Sequence, residues 1–522
     1  MCKYDVLGYL FKPDSDVGNI ESNTKVLESE LFFGITYLLG AEREAERVID
    51  ELKAELQNQL VYNVYVINVA DIIQSYNNCS NKNYNYKELM EHAKIICDEC
   101  SHSSALMWGA VDRIMNNRSS NHERGLRNAY IINAIKRPEE LALLKKVYRE
   151  SFFLIGLYMP ESERRQKLEN DISLINQDEM IELMKEDGKS SSSKYGTNSK
   201  NVYYQADVLI DVSSCSVKSS MNTSIDVLKR LINLIFGNPY CTPTFSEHAM
   251  FMAFNNSSHS SDLSRQVGAA LCTDNQIISL GANECCQAGG IPYFTNPDYS
   301  DAPGGKDFKR GYDSNKHIIN EVINDIVQRY NAEWNRSKDS SDTNTINIDT
   351  RILEIALRSS EIRSVTEYGR MIHAEMNAII NCARRGVSTL GGVLYCTTFP
   401  CHNCAKHIVA AGIQHVYFVE PYPKSKALEL FDDSIVYHYK KVIDDKRVVL
   451  EPYIGITAKR YHDLFSIKNN YGYNLKRKDT ETGNIIDFSL NHNSHPRFIV
   501  PIFEYKAMET VLSNLWNDKI NH

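Results

Sequence analysis

His373-Ala374-Glu375 and, further along, Pro400-Cys401-His402-Asn403-Cys404 put one imidazole, two thiols and one carboxylate into two short motifs. Three nitrogen and sulfur donors hold a tetrahedral zinc and leave its fourth position to water, the arrangement of a catalytic rather than a structural site. Glu375 lies two residues past His373, close to such a metal without having to ligate it. There it can take a proton from an activated water and hand it to a leaving group. Cys401 and Cys404 are three apart, so on a helix they share a face. Pro400 suits the start of that helix, where the dipole favours thiolate over thiol. The alternative is a closed structural zinc site completed by His402 or His407.

Four elements must position these groups. A helix from His373 to Arg384 carries the first motif, with Met371, Met376, Ile379 and Ile380 as its apolar residues. Gly391–Thr398 reads as a strand, Cys401–Ala411 as the second ligand helix, and His415–Glu420 as another strand. Upstream, Thr244–Asn256 predicts a helix. Val267–Cys272 and Ile277–Leu280 predict strands joined at Thr-Asp-Asn, which is hairpin chemistry. Helices on a mixed sheet make an α/β sandwich. Asn283, on the loop leaving the second strand, would face the metal and could bind a sugar hydroxyl, or be an ordinary turn residue. Tyr422 and Lys424 follow the last strand, where a pocket rim should lie, fit to stack on a base and to meet a phosphate. Residues 285–370 form a long insertion with a helix around His317–Trp334 and a polar stretch, Ser337–Thr345.

The N-terminal third has a different pattern. Glu30–Gly40 reads as a buried strand entering a turn, Ala41–Leu60 as a helix through Val48, Ile49, Leu52, Leu56 and Leu60, and Val61–Val69 as a strand. That is a βαβ unit. A phosphate-binding loop would sit in its first turn, but Gly40 is followed by Ala41-Glu42, and the Lys and Ser/Thr of G-x-x-x-x-G-K-[ST] are missing. Further strands are expected at Ser151–Tyr158 and Ala206–Asp211, a charged helix from Glu161, and a flexible loop over Gly188–Lys200 with its serine run. His92, Cys97, Cys100 and His102 imitate a zinc knuckle, yet the histidines lack finger spacing and ordinary thiols are favoured. Gly237-Asn238-Pro239 ends the preceding helix. The expected division is therefore 1–238 and 239–522, the latter including the insertion and a C-terminal extension, 437–522.

The bulk numbers restrict the function. A net charge of −8 provides no global field for polyanions, which weighs against a dedicated nucleic-acid binder. Thirteen cysteines without repeated spacing fit reduced thiols better than a disulfide framework. Met1–Asp5 lacks the order of an export signal, and no apolar run reaches membrane-span length, so a cytoplasmic protein is expected.

The paired motifs match the H-x-E…P-C-x-x-C signature of zinc deaminases. Together with Ser264-Arg265-Gln266-Val267-Gly268-Ala269, Gly281-x-Asn283-Glu284, His373–Ala378 and Thr397–Lys406, they make the chain resemble the deoxycytidylate deaminase family. Phe236-Gly-Asn-Pro-Tyr, Glu420–Ala427 and Glu451–Ile456, joined to the N-terminal half, extend the resemblance to bacterial anti-phage dCTP deaminases. The resemblance implies a P-loop-kinase-like parallel-sheet domain with a degenerate phosphate loop, in which Arg164 and Arg165 would hold phosphates. It also implies a C-terminal cytidine-deaminase-like α/β/α sandwich. His373, Cys401 and Cys404 would hold one Zn²⁺, with Glu375 catalytic and Arg265, Gln266, Asn283, Tyr422 and Lys424 contacting substrate. The implied activity is conversion of dCTP, and dCMP with it, to deoxyuridine nucleotides, depleting dCTP in antiviral defence. Implied partners are further copies of the chain and an inhibitory small noncoding RNA. A deaminase acting on tRNA or single-stranded DNA is the rival reading, and would need a basic, aromatic groove beside the zinc.

Overall fold

The computed structural model describes residues 30–76, 84–119, 127–170, 176–189, 194–213, 224–294, 305–338, 349–422, 424–438, 446–468, 474–498 and 500–520. The serine run at 190–193 and positions 339–345 of the polar stretch fall outside them. The chain divides into two compact units, Met1–Thr242 with Ile454–His522, and Pro243–Tyr453.

In the first unit β1 (Leu31–Tyr37) is buried along its whole length, as a strand covered on both faces of a parallel sheet must be. Helix Glu42–Asn58 buries Val48, Ile49, Leu52 and Leu56, the stripe expected from their spacing. β2 (Asn63–Asn68), β3 (Asn128–Asn133), β4 (Phe152–Tyr158) and β5 (Val208–Asp211) complete a parallel array in the order β2-β3-β1-β4-β5. Two expectations change on the charged helix Glu161–Glu169. Arg164 is buried and donates to the carbonyls of Leu39 and Met159, so it pins the turn after β1 from inside. Arg165 pairs with Glu161 on the surface.

The second unit opens with helix Phe245–Ser257, started by a capping box in which Thr244 and Glu247 exchange hydrogen bonds. β6 (Gly268–Thr273) and β7 (Gln276–Ala282) form the hairpin, with Asp274 and Asn275 both at positive φ as a two-residue turn of this kind requires. After the insertion come helix Ala374–Arg385, β8 (Val393–Thr398), helix His402–Ala410, β9 (His415–Glu420), β10 (Ile435–Tyr437) and β11 (Val448–Pro452). The mixed sheet runs β10-β11-β9-β8-β6-β7, antiparallel only where β6 meets β7 and β8. Its core joins Leu271, Leu394, Cys396 and Val416 of the strands to Ala374, Ala378, Ala405 and Ile408 of the two helices. Within the insertion the expected helix is longer, Ser314–Lys338, and a second, Thr350–Ser359, follows. Glu284 and Ile372 exchange backbone hydrogen bonds across the insertion's neck, so the insertion leaves and rejoins the unit at one place.

The expected boundary at 238/239 lies four residues before the observed break, but the C-terminal extension is misassigned by the sequence reading. Residues 446–453 stay with the second unit as β11, whereas 454–522 belong to the first. β12 (Gly455–Ile456) adds to the first sheet antiparallel to β5. Helix Ile502–Ile520 inserts Glu509, fully buried, against Arg118 (2.7 Å) and Tyr148 (3.0 Å). Tyr505 of the same helix donates to Glu30, which also holds Arg118. The mostly buried Arg118 thus meets two carboxylates that three tyrosine hydroxyls also bond, and the tail supplies one of those carboxylates and one of those hydroxyls. No helix among the described residues is long and apolar enough to cross a membrane.

Candidate active site

His373 and Cys401 are each the N-cap of a helix rather than its first turn. This places both donors where backbone N–H groups converge and favours negative charge between them. Nδ1 of His373 lies 3.2 Å from Sγ of Cys401 and 3.3 Å from Sγ of Cys404. Among the described residues these three form the one cluster of histidine, cysteine or carboxylate groups close enough to hold a metal ion, with the donor atoms within 4.8 Å of one another. One nitrogen and two sulfurs at that spacing fit a tetrahedral zinc with Zn–S near 2.3 Å and Zn–N near 2.0 Å. Cys97 and Cys100 are buried free thiols outside any such group. His407 turns its Nδ1 to the carbonyl of Asn403.

The electrostatics suit a metal. The amide of Cys404 donates to Sγ of Cys401. The hydrogen bond from the Cys404 thiol, reinforced by His373, pulls the Cys401 thiol down to about 4, so it is a thiolate at neutral pH. Burial and the adjacent thiolate push Cys404 the other way. Glu375 sits in the first helical turn, 4% exposed, and burial raises its carboxyl above the ordinary range. A carboxyl that holds a proton more readily than usual is equipped for transfer in both directions.

The helix bearing Glu375 is held hard against β7. A Cβ on Gly281 would lie 2.0 Å from the carbonyl oxygen of Ala374 and 2.6 Å from the amide of Ala378, so only glycine lets strand and helix backbone touch. Asn377 and Asn381 of that helix donate to the carbonyls of Ala282 and Leu280. Neither asparagine was singled out from sequence, although their four-residue spacing facing a strand is a readable signal.

A cavity of about 340 Å³ opens over the cluster. Arg265, Asn283, Tyr422 and Lys424 line it together with Glu375, His373 and Cys401. The Arg265 guanidinium lies 5.4 Å from the centre of the Tyr422 ring, a cation–π contact across the mouth. One expectation is corrected and another gains a structural part. Gln266 does not line the cavity; its amide donates to the carbonyl of Ser260. Asn283 faces the cavity, but its side chain accepts from the amide of Val267 (2.7 Å) and donates to the carbonyl of Arg265 (2.9 Å), so it shapes the loop that presents Arg265. Sequence reading missed Asp262, Thr366, Phe399 and His402 as lining residues. Asp262 makes the turn by accepting from the amides of Ser264 and Arg265. Thr366 comes from the insertion and accepts from Asn403, a contact that no spacing could announce.

Residues 243–420 match the family model for the cytidine and deoxycytidylate deaminase zinc-binding region. The deoxycytidylate deaminase of Enterobacteria phage T4 is 32% identical over 175 residues, 34% of this chain and 77% of that protein. ComE operon protein 2 of Bacillus subtilis is 43% identical over 83 residues, 16% of this chain; the chain spans only 44% of that relative's length. A crystal structure of a cyanophage S-TIM5 dCMP deaminase with dCMP and dUMP aligns at 18% identity and a TM-score of 0.22, covering 41% of this chain and 98% of that one.

Proposed function

Because the chain belongs, through its second unit, to the deoxycytidylate deaminase family, we propose that it is a zinc-dependent hydrolase converting deoxycytidine nucleotides, dCTP and dCMP, to deoxyuridine nucleotides and ammonia. The observation that carries this reading is a buried carboxyl, Glu375, beside a three-donor cluster at a nucleoside-sized cavity with cationic side chains at its rim.

His373, Cys401 and Cys404 would hold the zinc, which supplies a Lewis acid that brings the pKa of a water down to roughly 7. Glu375 would accept a proton from the water whose oxygen adds to C4 of the cytosine ring. The same carboxyl passes that proton to N3, then takes the proton of the added hydroxyl and passes it to the amino group, so that the C4–N bond breaks with ammonia as the leaving molecule and a C4 carbonyl remains. Phe399 and Tyr422 offer faces for the base. Arg265 and Lys424 are the cations available to the 5′-phosphates, and Asn283 keeps Arg265 in place through its backbone.

Ammonia release from dCMP, dCTP, CMP and CTP tests the reading. Turnover of either deoxynucleotide is expected, and silence with both, in protein carrying zinc, would overturn it. Depletion of dCTP against phage, assembly into oligomers and restraint by a small RNA are proposed from the motif resemblance. Plating efficiency of phage on cells expressing wild-type and Glu375→Ala protein checks the first of these: protection should vanish with the carboxylate.

A further inference from the structure

The first unit contains a larger cavity, about 410 Å³, that the deaminase chemistry leaves unused. It lies at the carboxyl ends of β1, β2 and β3, bounded there by Tyr37, Asn68 and Asn133, which is where open parallel sheets take their ligands. The turn after β1 is closed to phosphate by the protein's own carboxylates. The amide of Gly40 donates to Glu42 (2.9 Å) and that of Leu39 to Asp187 (2.9 Å), so the N–H groups that would cradle an anion already hold one each. Glu42, Glu46 and Asp71 line the cavity. Of its two cations, Lys136 is held by Asp187 and the Tyr37 carbonyl, and Arg137 by Glu140. A phosphorylated ligand would meet a lining in which carboxylates outnumber cations.

Two buried polar atoms, on residues that line the cavity, lack a partner. Arg137 is 1% exposed and spends Nε on Tyr195 and Nη1 on Glu140, leaving Nη2 without an acceptor. Asn133 gives its amide N–H to Asn68, leaving Oδ1 without a donor. Buried groups in this condition are costly unless something satisfies them. Acceptors in excess beside one donor suit a molecule with an amino group next to a ring acceptor. Tyr37, Tyr86, Leu89, Ala93 and Leu106 among the lining residues suit a flat ring. No compact metal cluster exists here among the described residues, so the negative charge does not indicate a bare cation site.

We propose that this cavity binds an amino-substituted heterocycle in unphosphorylated form, a free base or nucleoside of the adenine, cytosine or guanine type. The site stands on the first unit alone and does not depend on the deaminase reading. Calorimetric titration of the full-length zinc-loaded protein with adenosine, cytidine, guanosine and uridine, and with their 5′-triphosphates, tests it. At least one aminated nucleoside should bind, uridine and the matching triphosphate should bind roughly tenfold more weakly or less. Binding should disappear in Ala93→Leu, which fills the cavity, and in Met90→Trp, which crowds its half-exposed wall beside the small apolar cluster of Leu39 and Met180. Both variants should keep wild-type ammonia release. The proposal fails if no aminated nucleoside binds, if binding survives both substitutions, or if uridine or a triphosphate occupies the substitution-sensitive site as tightly as the aminated nucleoside.

Discussion

Glu375 and Cys401 come from two separate helix starts to one site and carry opposite perturbations, a carboxyl raised by burial and a thiol lowered by hydrogen bonding. That division of labour leads to a direct test. Glu375→Gln should lower turnover by roughly 10²–10⁴ while zinc per chain, measured by atomic absorption, stays at the wild-type value, because the ligand set does not include the carboxylate. Loss of metal along with activity would make Glu375 a ligand instead. A second residue-scale prediction concerns His259, whose ring stacks on Phe294 at 4.1 Å. Burial lowers its pKa, opposed by Glu284 and aided by Lys306. With a folded value below the ordinary one near 6.5, the unfolded chain binds the extra proton first. The stability held by neutral His259 is therefore complete above about pH 6.5 and is lost as the pH falls from there toward the folded value. His259→Phe should flatten the acid side of the melting-temperature profile, so that wild type loses ground to the variant as the pH drops from 7 to 5.

Elements place the groups by touching. The helix carrying Glu375 meets β7 at Gly281, where no side chain fits, and is clamped there by Asn377 and Asn381. Gly281→Ala should therefore push the helix off the strand. The cost expected for such overpacking is about 1–3 kcal/mol, and turnover should fall further than stability, since a small displacement of a proton-transfer group is penalised steeply. Parallel melting and ammonia-release measurements separate the two effects; a variant as active as wild type would show that the close approach is not needed. The loop from Ser260 to Val267 is set by similar means. Asp262 turns it, Asn283 braces it, and Glu284 accepts from Ser261. Gln266 was expected to reach substrate and instead holds this loop to Ser260, a reminder that a motif residue can serve the backbone that presents its neighbour.

Across the whole chain, the last 69 residues complete the first unit rather than the second. Ending the chain after Tyr453 would strip β12 from β5 and leave Arg118 facing Glu30 alone, without Glu509 and Tyr505. The cooperative unfolding of the first unit should then be lost while the zinc-bearing unit keeps its own transition, as seen by calorimetry. The milder Glu509→Ala should cost roughly 3–5 kcal/mol, because it breaks a buried, hydrogen-bonded ion pair from one side. Chemistry and element type were legible in the linear chain. The spacing of His373, Glu375, Cys401 and Cys404 within two helix starts is a local matter, and the buried strands of the parallel sheet announce themselves by nearly continuous apolar runs such as Leu31–Tyr37. Partnership between distant segments was not legible. The tail's return to β5, the insertion's loan of Thr366 to the pocket, and the self-capping of the β1 turn by Asp187 all join residues far apart in the chain. Composition and period carry no term for such pairs, which are chosen only when the folded units bury them together.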